Sequence, residues 1–275
     1  MAADKINNSG SREQGLIIYP VYSRRSCGLS IGINLFPDKK NCNFNCPYCE
    51  VFAFENKSCF TLEQMEKDLN NAIQYYKEAN IEIKDICFSG NGEPTLSLNF
   101  IKALEKAMHI RDKLIPDTPL VLITNGTGLL SEKIFNVLAG NAHKGLDIWL
   151  KIDAGTEQWF NKINFMEGKQ AGINFSTLIQ SIKKFAALSP FIIQTMICKI
   201  NGFYPLPEEE RVWIDLVKEL ALYKTIKAVQ IYGKARLSPH DPMAEAADIS
   251  LLKKRKHELE KEILALHAIP VDIFE

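Results

Sequence analysis

The sequence lacks long apolar runs. Nothing in it approaches the roughly 18 uninterrupted apolar residues of a membrane-spanning helix, and its first ten residues are polar, without the apolar stretch of a secretory signal. The expected compartment is the cytoplasm. Net charge is lacking too: 33 Lys and Arg face 33 Asp and Glu, which offers no overall basic surface to nucleic acid or anionic lipid and leaves only a local basic site. The one basic run, Lys253 to Lys256, is followed by Glu258, Glu260 and Glu262, the spacing of i,i+4 pairs on a solvated helix face. Histidine is scarce, five in all. None stands at a readable spacing from a nucleophile, so hydrolytic Ser or Cys triads have no support. Internal repeats and low-complexity tracts are also missing.

What is present is an ordinary globular composition, 46% hydrophobic and 24% charged over 275 residues, enough for a sizeable core. Residues 1–15 have no apolar period and read as a loose N-terminal arm. Beyond them, six β-branched runs at 29–35, 86–89, 120–124, 146–152, 191–198 and 228–232 read as strands. Helical patterns alternate with these strands. Thr61 with Gln64 is a capping box for a helix to about residue 79; Ser97, Ser131 and Ser176 precede further helices, and Pro207 opens an acidic first turn at Glu208 to Glu210. A last helix at 249–266 leads to Pro270 and a short apolar end, 271–274, which suits an extra edge strand. Such β/α units wind into an open doubly wound sheet or a barrel. Polar or Gly-rich stretches follow one strand after another, and a single site ringed by all of them favours the barrel. The expected organisation is an arm at 1–15, a core domain at 16–240, and a helix with a short strand at 241–275 packed on that core.

Seven cysteines is an odd number, and three of them crowd into Asn41-Cys42-Asn43-Phe44-Asn45-Cys46-Pro47-Tyr48-Cys49-Glu50. This is poor design for a disulfide framework. With cysteine this rare, a C-x3-C-x2-C spacing arises by chance on the order of half a percent of the time. Three thiolates on one short loop can hold three irons of a [4Fe-4S] cube and leave the fourth without a protein ligand. A structural zinc site needs four ligands, and no further Cys or His stands at finger or ribbon spacing, Cys59 being the nearest.

C-x3-C-x2-C with the aromatic Tyr48 before the last cysteine, placed after the first strand of a β/α chain, resembles the radical S-adenosylmethionine superfamily. Ser23-Arg24-Arg25, Gly28-Leu29-Ser30-Ile31-Gly32 and Gly92-Glu93-Pro94-Thr95-Leu96 are further similar to a subgroup related to the wyosine-type tRNA-modifying enzymes. The resemblance spans about residues 19–236. It implies an α/β fold, a partial (β/α)6 barrel of radical SAM type with a short N-terminal arm and a C-terminal helix. It also implies a [4Fe-4S] cluster on Cys42, Cys46 and Cys49 whose open iron takes S-adenosylmethionine. One electron then cleaves the sulfonium to methionine and a 5'-deoxyadenosyl radical, chemistry that no side chain supplies. An external one-electron donor such as flavodoxin or ferredoxin is implied as well.

By the same resemblance, the stretch Gly90-Asn91-Gly92-Glu93 holds the S-adenosylmethionine ammonium, with Asn91 departing from the usual Gly-Gly-Glu. Asn125, Lys151 and Asp153 become candidates for ribose and carboxylate, and Tyr48 for packing near the adenine. Taken as plain structure, Asn125-Gly126 is a turn, and Lys151 with Asp153 is a partly buried ion pair on alternating strand positions. Gln194 suits an amide contact and Arg236 a carboxylate or phosphate; Met196 is expected to fill the core. No catalytic acid or base is assignable. A wyosine-type enzyme carries a second cluster on three N-terminal cysteines, of which only Cys27 stands upstream here, so one cluster is expected. A small molecule, peptide or nucleotide element is the expected substrate. Modification of a tRNA base is the alternative within the class, and an iron–sulfur carrier or sensor without S-adenosylmethionine chemistry is the alternative outside it.

Overall fold

The computed structural model describes residues 15–165, 173–263 and 269–274; the expected arm, apart from Gly15, and the end of the last expected helix lie outside them. Among the described residues no helix is long and apolar enough to cross a membrane. The chain divides into two compact units.

The first unit takes residues up to 42, 53–123 and 145–147. Strand β1 (Ile18–Ser23) runs antiparallel to β2 (Gly28–Ile33), with Ile18 opposite Ile33 and Ser23 opposite Gly28. Strands β3 (Ile83–Phe88) and β4 (Leu120–Thr124) continue the sheet in parallel, pairing Ile31 with Ile86 and Ile86 with Leu120. The last residue of β4 passes to the second unit. β1 stands where no strand is expected from sequence, because Pro20 interrupts the run; a terminal strand tolerates a residue without an N–H. Helices α1 (Leu62–Glu78) and α2 (Phe100–Leu114) pack together. The buried stripe of α1, Met65, Leu69, Ile73 and Tyr76, keeps helical spacing. Thr61 caps that helix by accepting the Gln64 N–H at 3.1 Å, but the Gln64 side chain turns to Asp68 at 2.7 Å and leaves the reciprocal half of the box unmade.

The second unit takes residues 43–52, 124–144 and 148 onward. It holds α3 (Glu132–Ala142), most of β5 (Leu146–Lys151), α4 (Glu157–Asn164), α5 (Phe175–Ala186), β6 (Phe191–Ile200), α6 (Pro207–Ala221), β7 (Ile226–Gly233), β8 (Ala244–Ala246), α7 (Ile249–Ile263) and β9 (Val271–Phe274). β5, β6, β7 and β9 run parallel in that order: Lys151 pairs with Gln194, Gln194 with Gln230, and Gln230 with Asp272. The apolar chain end is thus an added strand. β8 lies antiparallel on the far end of β6. Asn174 caps α5 by accepting the Thr177 N–H at 2.9 Å, two residues ahead of the expected Ser176. α6 starts at Pro207, and Glu209 accepts the Leu206 N–H at 2.8 Å. In α7, Lys254 pairs with Glu258 and Lys256 with Glu260, the solvated i,i+4 pattern expected there.

α4 has no sequence expectation, since eight residues are too few for periodicity to register. Thr156 opens it by accepting the Trp159 N–H at 3.1 Å, and Trp159, Phe160 and Ile163 bury its inner face. The turn before α4 needs glycine: a Cβ on Gly155 would lie 2.2 Å from the Trp213 backbone nitrogen in α6.

Candidate metal and cofactor site

In the second unit, the stretch from Asn43 to Phe52 is held from several sides. Phe44 sits edge-on to Phe160 at 5.5 Å and tilted on Phe165 at 5.0 Å. The Asn45 N–H donates to the Asn164 carbonyl at 2.9 Å, and the Cys49 N–H closes a turn on the Cys46 carbonyl at 3.0 Å. Asn43 donates to Thr127 Oγ1 and accepts from Asn125 Nδ2, each at 2.8 Å, while Asn125 Oδ1 takes the Thr127 N–H and hydroxyl. Arg236 pairs with Glu50 at 2.9 Å. Two expected site residues, Asn125 and Arg236, therefore already grip the residues beside the cysteines.

Below this stretch Asp153 gathers donors. Its side chain is 0% exposed. Oδ1 accepts the Met196 N–H at 2.9 Å; Oδ2 accepts the Tyr48 hydroxyl and Asn164 Nδ2, the latter at 2.9 Å. Lys151 Nζ stands 3.4 Å away, so the expected ion pair is present, but β5 ends at Lys151 and Asp153 lies two residues beyond it rather than on the strand. The same ammonium donates to the Tyr232 hydroxyl and lies 4.8 Å and 5.0 Å from the ring centres of Tyr48 and Tyr232. Burial pulls the Lys151 pKa down, but Asp153 and Tyr232 outweigh it and hold the ammonium above its ordinary pKa. Tyr48 is pushed well up by burial and by Asp153, which keeps the phenol protonated and donating. Gln194, on the neighbouring strand, donates to Gln230 at 2.6 Å in a buried amide pair. Tyr232, Gln230, Asn43 and Asn164 carry no motif in sequence; each meets its partner only through strand register or long-range packing.

In the first unit, the stretch after β3 folds against the residues that lead to the first cysteine. Asn41 donates its N–H to the Asn91 carbonyl and accepts the Glu93 N–H on its own carbonyl, both at 2.9 Å. Gly92 is required by that closeness: a Cβ would lie 1.7 Å from the Asn41 oxygen. Gly90 has φ +128° and backs onto Asn34. The Asn91 side chain donates to the Phe36 carbonyl at 3.1 Å, which gives the departure from Gly-Gly-Glu a packing role. Glu93 is 2% exposed, and its Oε1 accepts the N–H and hydroxyl of Thr95 at 3.2 Å and 2.7 Å.

None of the seven cysteines is in a disulfide; Cys46 is buried, and Cys42 and Cys49 are half-buried. Burial pushes the Cys46 thiol up to about 11 against the pull of Lys151, so a metal binding there would displace its proton. Among the described residues no three His, Cys, Asp or Glu side chains converge as ligands of one ion would. An iron–sulfur cube asks for something different, one thiolate on each of three irons. Three soft donors on one loop, with the Asn41, Asn45 and Cys49 N–H groups bonded within the protein, fit that group.

The model of the Radical SAM superfamily matches residues 39–188, more than half of the chain. A protein of Brachyspira hyodysenteriae named GTPase Obg is 37% identical over 118 residues, 42% of this chain and 16% of that protein. A UPF0026 protein of Methanocaldococcus jannaschii is 33% identical over 152 residues, 53% of this chain and 42% of the relative. The chain therefore spans less than half the length of either relative. Among solved structures, Streptococcus suis SuiB bound to S-adenosylmethionine aligns with a TM-score of 0.65 at 14% identity, covering 86% of this chain and 49% of that one. That likeness gives the fold, an α/β partial barrel. The cysteine loop, the stretch from Gly90 to Glu93 and the Lys151–Asp153 pair all fall inside the matched residues, and the chain belongs to the Radical SAM superfamily, whose cofactors are a [4Fe-4S] cluster and S-adenosylmethionine.

Proposed function

We propose that the chain is an enzyme in which Cys42, Cys46 and Cys49 hold the cluster and the neighbouring loops hold S-adenosylmethionine for radical attack on a small substrate. The observation that carries this reading is the C-x3-C-x2-C spacing of three cysteines outside any disulfide, inside the family match. When bound, the two cofactors supply a one-electron cleavage whose 5'-deoxyadenosyl radical takes a hydrogen atom from the substrate. The protein's own task is to position and to exclude water. Glu93, buried with glycines on either side of Asn91, offers a carboxylate and close backbone to an ammonium. Asn125 and Lys151 face hydroxyl and carboxylate groups, the ammonium of Lys151 staying charged because Asp153 stands beside it. Asp153 acts through Tyr48 and Lys151, since its own oxygens are engaged within the protein. Tyr48 packs near the adenine, and Gln194 and Arg236, once exchanged from Gln230 and Glu50, take the amide and anionic groups of ligand or substrate. The electron comes from an external donor of flavodoxin or ferredoxin type. We assign the protein to the cytoplasm, where thiols stay reduced.

The test is anaerobic reconstitution with iron and sulfide, followed by dithionite and S-adenosylmethionine, with 5'-deoxyadenosine followed by chromatography. Product from the wild type and none from the Cys42→Ala/Cys46→Ala/Cys49→Ala variant is the expected result. A wild-type protein that loads a cluster but makes no 5'-deoxyadenosine, alone or with small-molecule, peptide and nucleotide substrates, would overturn the proposal in favour of a carrier or sensor.

A further inference from the structure

The last residue of α4 meets the cysteine loop through both its backbone and its side chain. Asn164 is 2% exposed. Its carbonyl, one of the groups that a helix end leaves without an intrahelical partner, accepts the Asn45 N–H at 2.9 Å. Its amide nitrogen stands 2.9 Å from Asp153 Oδ2 and 3.6 Å from Cys46 Sγ. An amide nitrogen carries two hydrogens, one for each of these acceptors. The carboxylate fixes which way the amide points, since the flipped rotamer would set its oxygen against Asp153. The position of Asn164 does not depend on the sulfur: Thr156 caps the start of α4, and Phe160 anchors its middle against Phe44 and Phe165.

An N–H donor aimed at sulfur does little for a neutral thiol and much more for a charged one, because hydrogen bonds strengthen when the acceptor is ionised. The more electron density the sulfur carries, the more the bond contributes. We infer that Asn164 is a positioning residue that raises the reduction potential of the iron–sulfur centre through Cys46, by stabilising its reduced, more negative form. This rests on Cys46 being a ligand. The reduction concerned is a one-electron step with the electron supplied from outside, and Asn164 neither gains nor loses a proton in it.

The experiment measures the midpoint potential of the reconstituted full chain by anaerobic dithionite titration followed by electron paramagnetic resonance, with iron content determined on the same samples. Asn164→Leu, which keeps the branched heavy-atom skeleton and removes the donor, is expected to load iron as the wild type does. Its equilibrium constant for reduction should fall roughly tenfold, about 59 mV for a one-electron couple. Asn164→Asp, which sets a carboxylate oxygen toward the sulfur, should fall at least as far. A fully loaded Asn164→Leu with the wild-type potential overturns the inference. Should Asn164→Leu fail to load, Asn164→Gln and Asn164→Asp decide: a higher potential in the glutamine variant supports the role, and equal potentials overturn it. A wild-type chain that loads no iron would instead sink the ligand assignment of Cys46, and the inference with it.

Discussion

Replacing Asp153 by alanine would strand four groups at once: the Met196 N–H, the Tyr48 hydroxyl, one hydrogen of Asn164 and the ammonium of Lys151. The carboxylate is fully buried and the Lys151 side chain only 14% exposed, so water cannot replace what is lost. Removing one partner of a buried ion pair costs about 3–5 kcal/mol, because the other charge stays behind uncompensated. At about 2–4 °C per kcal/mol for a chain near this size, the melting temperature should drop by about 6–20 °C. The assay is thermal unfolding of the metal-free protein by circular dichroism under reducing, anaerobic conditions, with urea midpoints as the equilibrium check. Lys151→Met should restore part of the loss in the Asp153→Ala background, since it removes the stranded cation, while costing stability in the wild type. Such a reversal is a coupling of at least about 1 kcal/mol, as expected for groups in one network. A melting temperature within about 2 °C of wild type, or strictly additive effects of the two substitutions, would refute Asp153 as the hub of this part of the protein.

Three further substitutions probe the packing around two glycines and the titration of one buried carboxyl. Gly155→Ala, whose Cβ would meet the Trp213 backbone at 2.2 Å, should lower the urea midpoint, since overpacking against backbone costs about 1–3 kcal/mol. Gly140→Ala, inside α3 with nothing within 4 Å of the new Cβ, should raise the midpoint by the helix gain of about 0.5–1 kcal/mol; effects of equal sign would contradict the geometry. Asp85 is pushed above its usual 3.8 chiefly by burial, against hydrogen bonds from Ser26 and Ser30 and the charge of Arg25. A carboxyl that holds its proton more tightly when folded makes the protein lose stability as pH rises from the unfolded to the folded pKa, after which the loss stays constant. Asp85→Asn should therefore gain stability relative to wild type across that window, read from urea midpoints between pH 3 and pH 7. A gap that does not change with pH would mean that burial does not dominate there.

Those parts of the molecule that rest on local chemistry are legible in the sequence. Thr61 before a run of helical period, the acidic turn after Pro207 and the three cysteines within eight residues each carry their signal within a few positions. The Lys151–Asp153 pair is legible from the rule that alternate residues of a strand share a face, although β5 itself ends at Lys151. Asn164 is different: Cys46 lies 118 residues away in the chain, and nothing in Lys162-Ile163-Asn164-Phe165 announces it. β1 is hidden by Pro20, and α4 by its length. The glycines are half legible: Gly90 and Gly92 stand in a stretch that the family resemblance marks, while the reason for Gly92 and for Gly155, the backbones of Asn41 and of Trp213, is tertiary.

The aromatic seat of Phe44 bears on the order in which the protein matures. A zinc finger takes its shape from the metal, so the free energy of binding is largely consumed in folding. Here Phe44 is clasped by Phe160 and Phe165, and the Asn45 amide by the end of α4, through contacts among protein atoms alone. With the cysteines as the proposed cluster ligands, the metal-free protein is expected to keep this stretch folded, which protection of the Asn45 amide from hydrogen exchange would show.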